Sequence, residues 1–156
     1  IAGNNSKLNV CSGSTITIPS NVSGASYQWQ ADNGSGFANI SNTGSYSGTT
    51  SSSLTITSIP TTMYGYKFRC LVNGVTLSQE YTIKLSSSWE GAISNVWENT
   101  ANWSCGVIPD AATDVVIKAG KANYPQVGAS TSVRTLTLST GATLTVKTGF
   151  NLSILK

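Results

Sequence analysis

Apolar and polar residues alternate through the first half of the chain. Ile16 and Ile18 flank Thr17, Leu54 and Ile56 flank Thr55, and Phe68, Cys70 and Val72 take every second place around Arg69 and Leu71. A period of two puts such a set on one face of an extended strand, whereas a helical face needs spacings of three and four. The pattern predicts strands over 7–10, 15–19, 27–30, 37–40, 53–57, 66–72 and 80–85, separated by residues that favour turns. The stretch Asp32-Asn33-Gly34-Ser35-Gly36 joins two of these as an antiparallel pair. It offers one carboxylate, too few for a calcium loop. Trp29, Leu54, Ile56, Phe68, Cys70 and Val72 are the expected core of this half.

After the polar break Ser86-Ser87-Ser88 the pattern changes, which predicts a domain over 1–86 and a second module over 87–156. The second module opens with Trp89, Trp97 and Trp103, continues through Asp114-Val115-Val116-Ile117, and ends in Leu136-Thr137-Leu138, Leu144-Thr145-Val146 and Leu152-Ser153-Ile154. Those three short runs recur at eight-residue offsets, an internal repeat. A three-residue strand is too short to bury its own face, so neighbours must stack or pair. A β-solenoid or a tight meander satisfies this, and the fold class is all-β. The repeat reaches Lys156 without a capping sequence, and the native chain is expected to continue.

Composition narrows the function classes. Only 10% of residues are charged, and nine Lys or Arg against six Asp or Glu give a net charge of +3, spread singly along the chain. Without a clustered basic patch, nucleic-acid binding has no support. No apolar run is long enough to cross a membrane as a helix. Histidine is absent, which removes the commonest general base and the commonest metal ligand.

Cys11, Thr15–Ile18, Tyr27-Gln28-Trp29-Gln30, Leu54-Thr55-Ile56 and Tyr64-Gly65-Tyr66-Lys67-Phe68-Arg69-Cys70 together resemble an immunoglobulin-like domain. The variant with an early cysteine is similar to immunoglobulin-like repeats of large surface and secreted proteins in the Bacteroidetes, which implies a spacer or adhesion role. Two positions depart from the antibody pattern. Ile18 stands where the first cysteine is usual, and Phe68 stands where a tyrosine hydroxyl is usual, so that bond is either absent or supplied otherwise, as by Tyr64 or Tyr66. The second module, in the order Trp89-Glu90-Gly91, Asn102-Trp103-Ser104, Asn123-Tyr124-Pro125 and the glycine-spaced strands, resembles the opening of a right-handed parallel β-helix-like region in surface proteins of the same kind.

Three cysteines leave one over. Cys11 and Cys70 have the wide separation of a long-range staple rather than the close pairs of a metal site, so these two are expected to be cross-linked in an oxidising compartment. In the chain-entropy model a loop of this size contributes about 4 kcal/mol. Cys105 is expected to be an unpaired thiol.

Candidate chemistry is sparse. Two readings of Trp89, Trp97 and Trp103 stand: flat faces for stacking on sugar rings, aided by Glu90, Asn99 or Asn102, or rings that cap a small core. Glu90 and Glu98 are the one carboxylate pair that suits a glycosidase, although nothing nearby suggests a deep cleft. Asp110 and Asp114 follow Pro109 in a turn and are expected to bond backbone amides rather than a metal. Asn4, Asn21, Asn39, Asn102 and Asn151 stand in glycosylation triplets. The expectation is therefore a non-catalytic structural or adhesion segment of a larger secreted or cell-surface protein, without cofactor, whose partner is a cell-surface protein or polysaccharide. The alternative is a carbohydrate-binding module that assists a polysaccharide-degrading enzyme.

Overall fold

A computed structural model describes residues 4–156. The fold is all-β, with 41% strand and 4% helix, as the low charge and the wealth of β-branched and turn residues require. The chain divides into two compact units, the first ending at Lys84 and the second spanning Leu85–Lys156.

In the first unit the strands are β1 (Asn5–Val10), β2 (Ile16–Pro19), β3 (Tyr27–Asp32), β4 (Ala38–Asn39), β5 (Tyr46–Ser47), β6 (Ser53–Ile56), β7 (Lys67–Val72), β8 (Thr76–Leu77) and the first part of β9 (Glu80–Ser88). One antiparallel sheet has the order β2-β6-β5, with Ile18 opposite Leu54 and Ile16 opposite Ile56. In the other, β4 pairs β3 and β3 pairs β7, which sets Trp29 opposite Cys70. The far edge of β7 is shared: β9 takes Lys67 and Phe68, and β8 takes Leu71 and Val72. β1 pairs with β9. The two-residue strands β5 and β8 have no counterpart in the alternation pattern.

Trp29, Leu54, Ile56, Phe68, Cys70 and Val72 are all fully buried, as the period of two predicts. Each large apolar side chain among them contributes about 1.5–3 kcal/mol by leaving water. Contacts join residues of the two sheets and their loops: the Trp29 indole donates to the Ser51 carbonyl at 2.9 Å, and Tyr46 stands edge-on to Phe68 with 6.0 Å between ring centres. Tyr81, which lies opposite Phe68, supplies a tyrosine hydroxyl anchor. Its phenol donates to the Pro19 carbonyl at 2.7 Å and accepts from the Asn21 amide at 2.8 Å.

The cysteine expectation is overturned. Cys11 and Cys105 are the disulfide-bonded residues, and Cys70 is a free, fully buried thiol. Sheet order supplies the reason. β9 lies between β1, which leads into Cys11, and β7, which carries Cys70. Two strand spacings make about 10 Å, and a disulfide requires α-carbons within about 7 Å. Burial pushes the Cys70 thiol pKa up, so it stays protonated and unreactive at neutral pH.

The serine run expected to be a break is the end of β9. Ser86, Ser87 and Ser88 pair in parallel with Asp114, Val115 and Val116, and Ser87 is buried. In the second unit follow β10 (Asp114–Ile117), β11 (Gln126–Val127), β12 (Thr131–Val133), β13 (Thr135–Leu138), β14 (Thr145–Val146) and β15 (Leu152–Ile154). The eight-residue echo does not mean neighbouring strands. β13, β14 and β15 belong to three different ladders, each parallel to a strand about twenty residues earlier: β10, β11 and β12 respectively. Parallel pairing excludes the antiparallel meander. The stacked positions are apolar, with Ile117 against Leu138, Val127 against Val146 and Val133 against Ile154.

Candidate functional site

The expected ligand-stacking residues Trp89, Trp97 and Trp103 form the core of the second unit and offer no face to a ligand. They are 0%, 0% and 3% exposed. Trp103 stands edge-on to both others, at 5.0 Å from Trp89 and 4.6 Å from Trp97 between ring centres. Val115, Ile117, Val127 and Val133 complete the cluster. An edge-to-face aromatic pair adds about 0.5–1.5 kcal/mol beyond burial.

The residues around them are spent on holding the same core. The Trp89 indole donates to the Asn123 carbonyl at 2.7 Å, and the Asn123 amide donates to the Gly91 carbonyl at 2.8 Å. Gly91 has φ +59°, and a β-carbon there would lie 2.2 Å from the Asn123 carbonyl oxygen, so only glycine fits. Asn102, fully buried, bridges the loop over it: its Oδ1 accepts from the Ile93 and Ser94 amides at 3.0 and 3.1 Å, and its Nδ2 donates to the Val96 carbonyl at 3.0 Å. A glycan on Asn102 is therefore incompatible with the fold. The Trp103 indole donates to the Trp97 carbonyl at 2.8 Å, and Ser104 Oγ accepts from the Ser88 amide at 2.9 Å. Tyr124 donates to the Gly141 carbonyl at 3.1 Å. The Trp97 indole nitrogen has no partner among the described residues.

The carboxylates are likewise engaged. Glu90 pairs with Lys121, while Glu98 accepts from the Gly128 amide at 2.7 Å. Asp110 Oδ1 accepts from the Ala112 amide at 3.0 Å and the Thr113 hydroxyl at 2.9 Å, the turn bonding its sequence predicts. Asp114 accepts from the Thr135 hydroxyl at 2.7 Å and lies 3.7 Å from Arg134. In the first unit, Asp32 accepts from the Gly34 and Gly36 amides at 2.7 and 2.9 Å. Those amides, Gly34 foremost, hold its carboxyl below the usual carboxylate range. No group of three or more His, Cys, Asp or Glu able to hold a metal occurs among the described residues. No helix among them is long and apolar enough to cross a membrane.

Sequence reasoning missed a cleft in the first unit. Asn33, Ser35, Phe37, Ile40, Tyr46 and Tyr66 are among the residues that line about 540 Å³ beside the Asp32–Gly36 loop. The Arg69 guanidinium lies 3.9 Å from the centre of the Phe37 ring and donates to Gln30 at 2.8 Å, which holds that ring in place. These residues come from separate strands and loops, so no local motif joins them.

The fold and these sites define an all-β protein of two units, the second organised around a tryptophan core. Residues 88–156 match a protein family described as a domain of unknown function (DUF8693), a match that lies within the second unit and covers less than half of the chain. No curated protein and no solved structure matches the chain.

Proposed function

We propose that the chain is a non-catalytic structural or adhesion segment of a secreted or cell-surface protein, an immunoglobulin-like sandwich followed by a short solenoid-like stack. One observation carries this reading: the residues that make the second unit distinctive are buried and bonded to one another. Trp89, Gly91, Asn102, Trp103 and Asn123 serve packing and loop closure, and Glu90 and Glu98 each hold a different loop partner. A glycosidase needs one carboxyl poised as an acid and one as a nucleophile or base on either side of a bound sugar.

The sandwich reading is supported by two antiparallel sheets packed through Trp29, and the solenoid reading by three parallel ladders. The disulfide of Cys11 and Cys105 supports an oxidising compartment outside the cytosol. Surface labelling of intact source cells with an antibody against this chain tests the location. Detection on unpermeabilised cells or in the medium is expected, and signal only after permeabilisation contradicts the reading. Hydrolysis of a glycan, ester or peptide panel that is lost in Glu90→Gln or Glu98→Gln contradicts the non-catalytic half.

A further inference from the structure

The cleft beside the Asp32–Gly36 loop has the chemistry of a small-molecule site that packing does not explain. Two half-buried phenols, Tyr46 and Tyr66, border it. Neither hydroxyl has a hydrogen-bond partner among the described residues, whereas several polar side chains beside the cleft do. The Asp32 carboxylate, Asn33, Gln30 and Asn39 are all bonded to neighbours. Burial, followed by the proximity of Tyr66, pushes the Tyr46 pKa up, so the phenol is neutral and able to donate at physiological pH.

The lining also selects a ligand class. None of its lining residues carries a charge, and the guanidinium of Arg69 beside it is engaged by the Phe37 ring and Gln30, so the lining itself offers no charged anchor for a carboxylate, a phosphate or an amine. Phe37 and Ile40 supply apolar surface, while the two phenols, Asn33 and Ser35 supply neutral donors and acceptors. A volume of about 540 Å³ lies within the range of small-ligand sites. Flat apolar patches combined with several neutral hydrogen-bonding groups match a pyranose, which has an apolar ring face and a rim of hydroxyls.

We propose that this cleft binds a neutral sugar ring, with Phe37 and the tyrosine rings against its apolar face and the Tyr46 and Tyr66 hydroxyls bonded to its rim. This stands apart from the non-catalytic reading above, since a binding cleft here involves neither Glu90 nor Glu98. It also moves sugar recognition from the second-unit tryptophans to the first unit.

The test is an NMR titration of the whole isotope-labelled chain with the methyl pyranosides of glucose, galactose, mannose and N-acetylglucosamine, each separately. At least one is expected to give saturable shifts confined to residues 31–40, 46 and 66, with a dissociation constant of about 1 mM, the range for a small neutral ligand. Tyr46→Phe and Tyr66→Phe keep the rings and remove the hydroxyls. Each is expected to weaken that binding about tenfold, the loss of one hydrogen bond, with the remaining spectrum unchanged. The proposal is overturned if no glycoside gives saturable shifts, if the shifts map elsewhere, or if the double Phe variant binds as the parent does. It is also overturned if a proline-rich peptide, and no glycoside, shifts the cleft residues, because that outcome makes the site a peptide groove.

Discussion

In the first unit the core is made mostly by strands, and in the second its largest side chains come from loops. Ile18, Leu54, Ile56, Phe68, Cys70 and Val72 are inward positions of β2, β6 and β7, buried because adjacent residues point outward. In the second unit β10 to β15 run two to four residues, and the three largest buried side chains, Trp89, Trp97 and Trp103, lie outside all of them. Of these strands β10, β11 and β12 bury one or two apolar residues each, and β13, β14 and β15 bury none fully. The missing volume comes from indoles whose positions depend on loop bonds to Asn123, Asn102 and Gly91. An element with enough strand specifies its own core; one without it needs buried polar contacts to place its aromatics.

Removing an indole breaks the second unit most. Trp103→Ala loses both edge-to-face contacts and the bond to the Trp97 carbonyl, and is expected to cost about 3–5 kcal/mol. Urea unfolding of the whole chain, followed by amide signals of each unit, reads this as a loss centred on residues 88–156. Equal loss in both units breaks the contrast drawn between them.

The covalent staple comes next. Cys11→Ser or Cys105→Ser is expected to cost about 2–5 kcal/mol, and Cys70→Ala is expected to leave the bridge intact. Alkylation of the denatured, unreduced chain, read by peptide mass spectrometry, should label Cys70 alone; label on Cys105 contradicts the assignment. In the native state Cys70 should resist labelling at neutral pH, because burial raises its pKa. Its sign follows. The folded thiol holds its proton to higher pH than the unfolded one, so this group's destabilising effect appears only as pH rises through the unfolded thiol value.

Backbone placement is worth less but is specific. Gly91→Ala forces a left-handed residue and a clash with the Asn123 carbonyl, with about 1–3 kcal/mol expected from backbone strain and tryptophan emission shifting toward that of the unfolded chain. In the first unit, Tyr81→Phe removes the bonds to Pro19 and Asn21 and is expected to cost about 1 kcal/mol, measured as a small shift of the urea midpoint.

Much of the first unit was legible because a strand of four or more residues shows its period. Leu54 with Ile56, and Phe68 with Cys70 and Val72, announce their faces. Two features were not legible, for physical reasons. The Cys11 partner depends on sheet order, and nothing in the local sequence places β9 beside β1. The eight-residue echo of β13, β14 and β15 marks three ladders rather than adjacent strands, because pairing runs to strands about twenty residues earlier. For the tryptophans the sequence offered both a core cap and a ligand platform, since the two read alike there, and burial bears out the core reading. Tyr46 and Tyr66 were invisible as a pair because the fold brings them together from separate segments.

The central claim is that the second unit's tryptophans are core. Acrylamide quenching of the Trp29→Phe variant isolates their emission. Native quenching is expected to fall well below that of the urea-unfolded variant, as full burial requires. Native quenching equal to the unfolded value would contradict it.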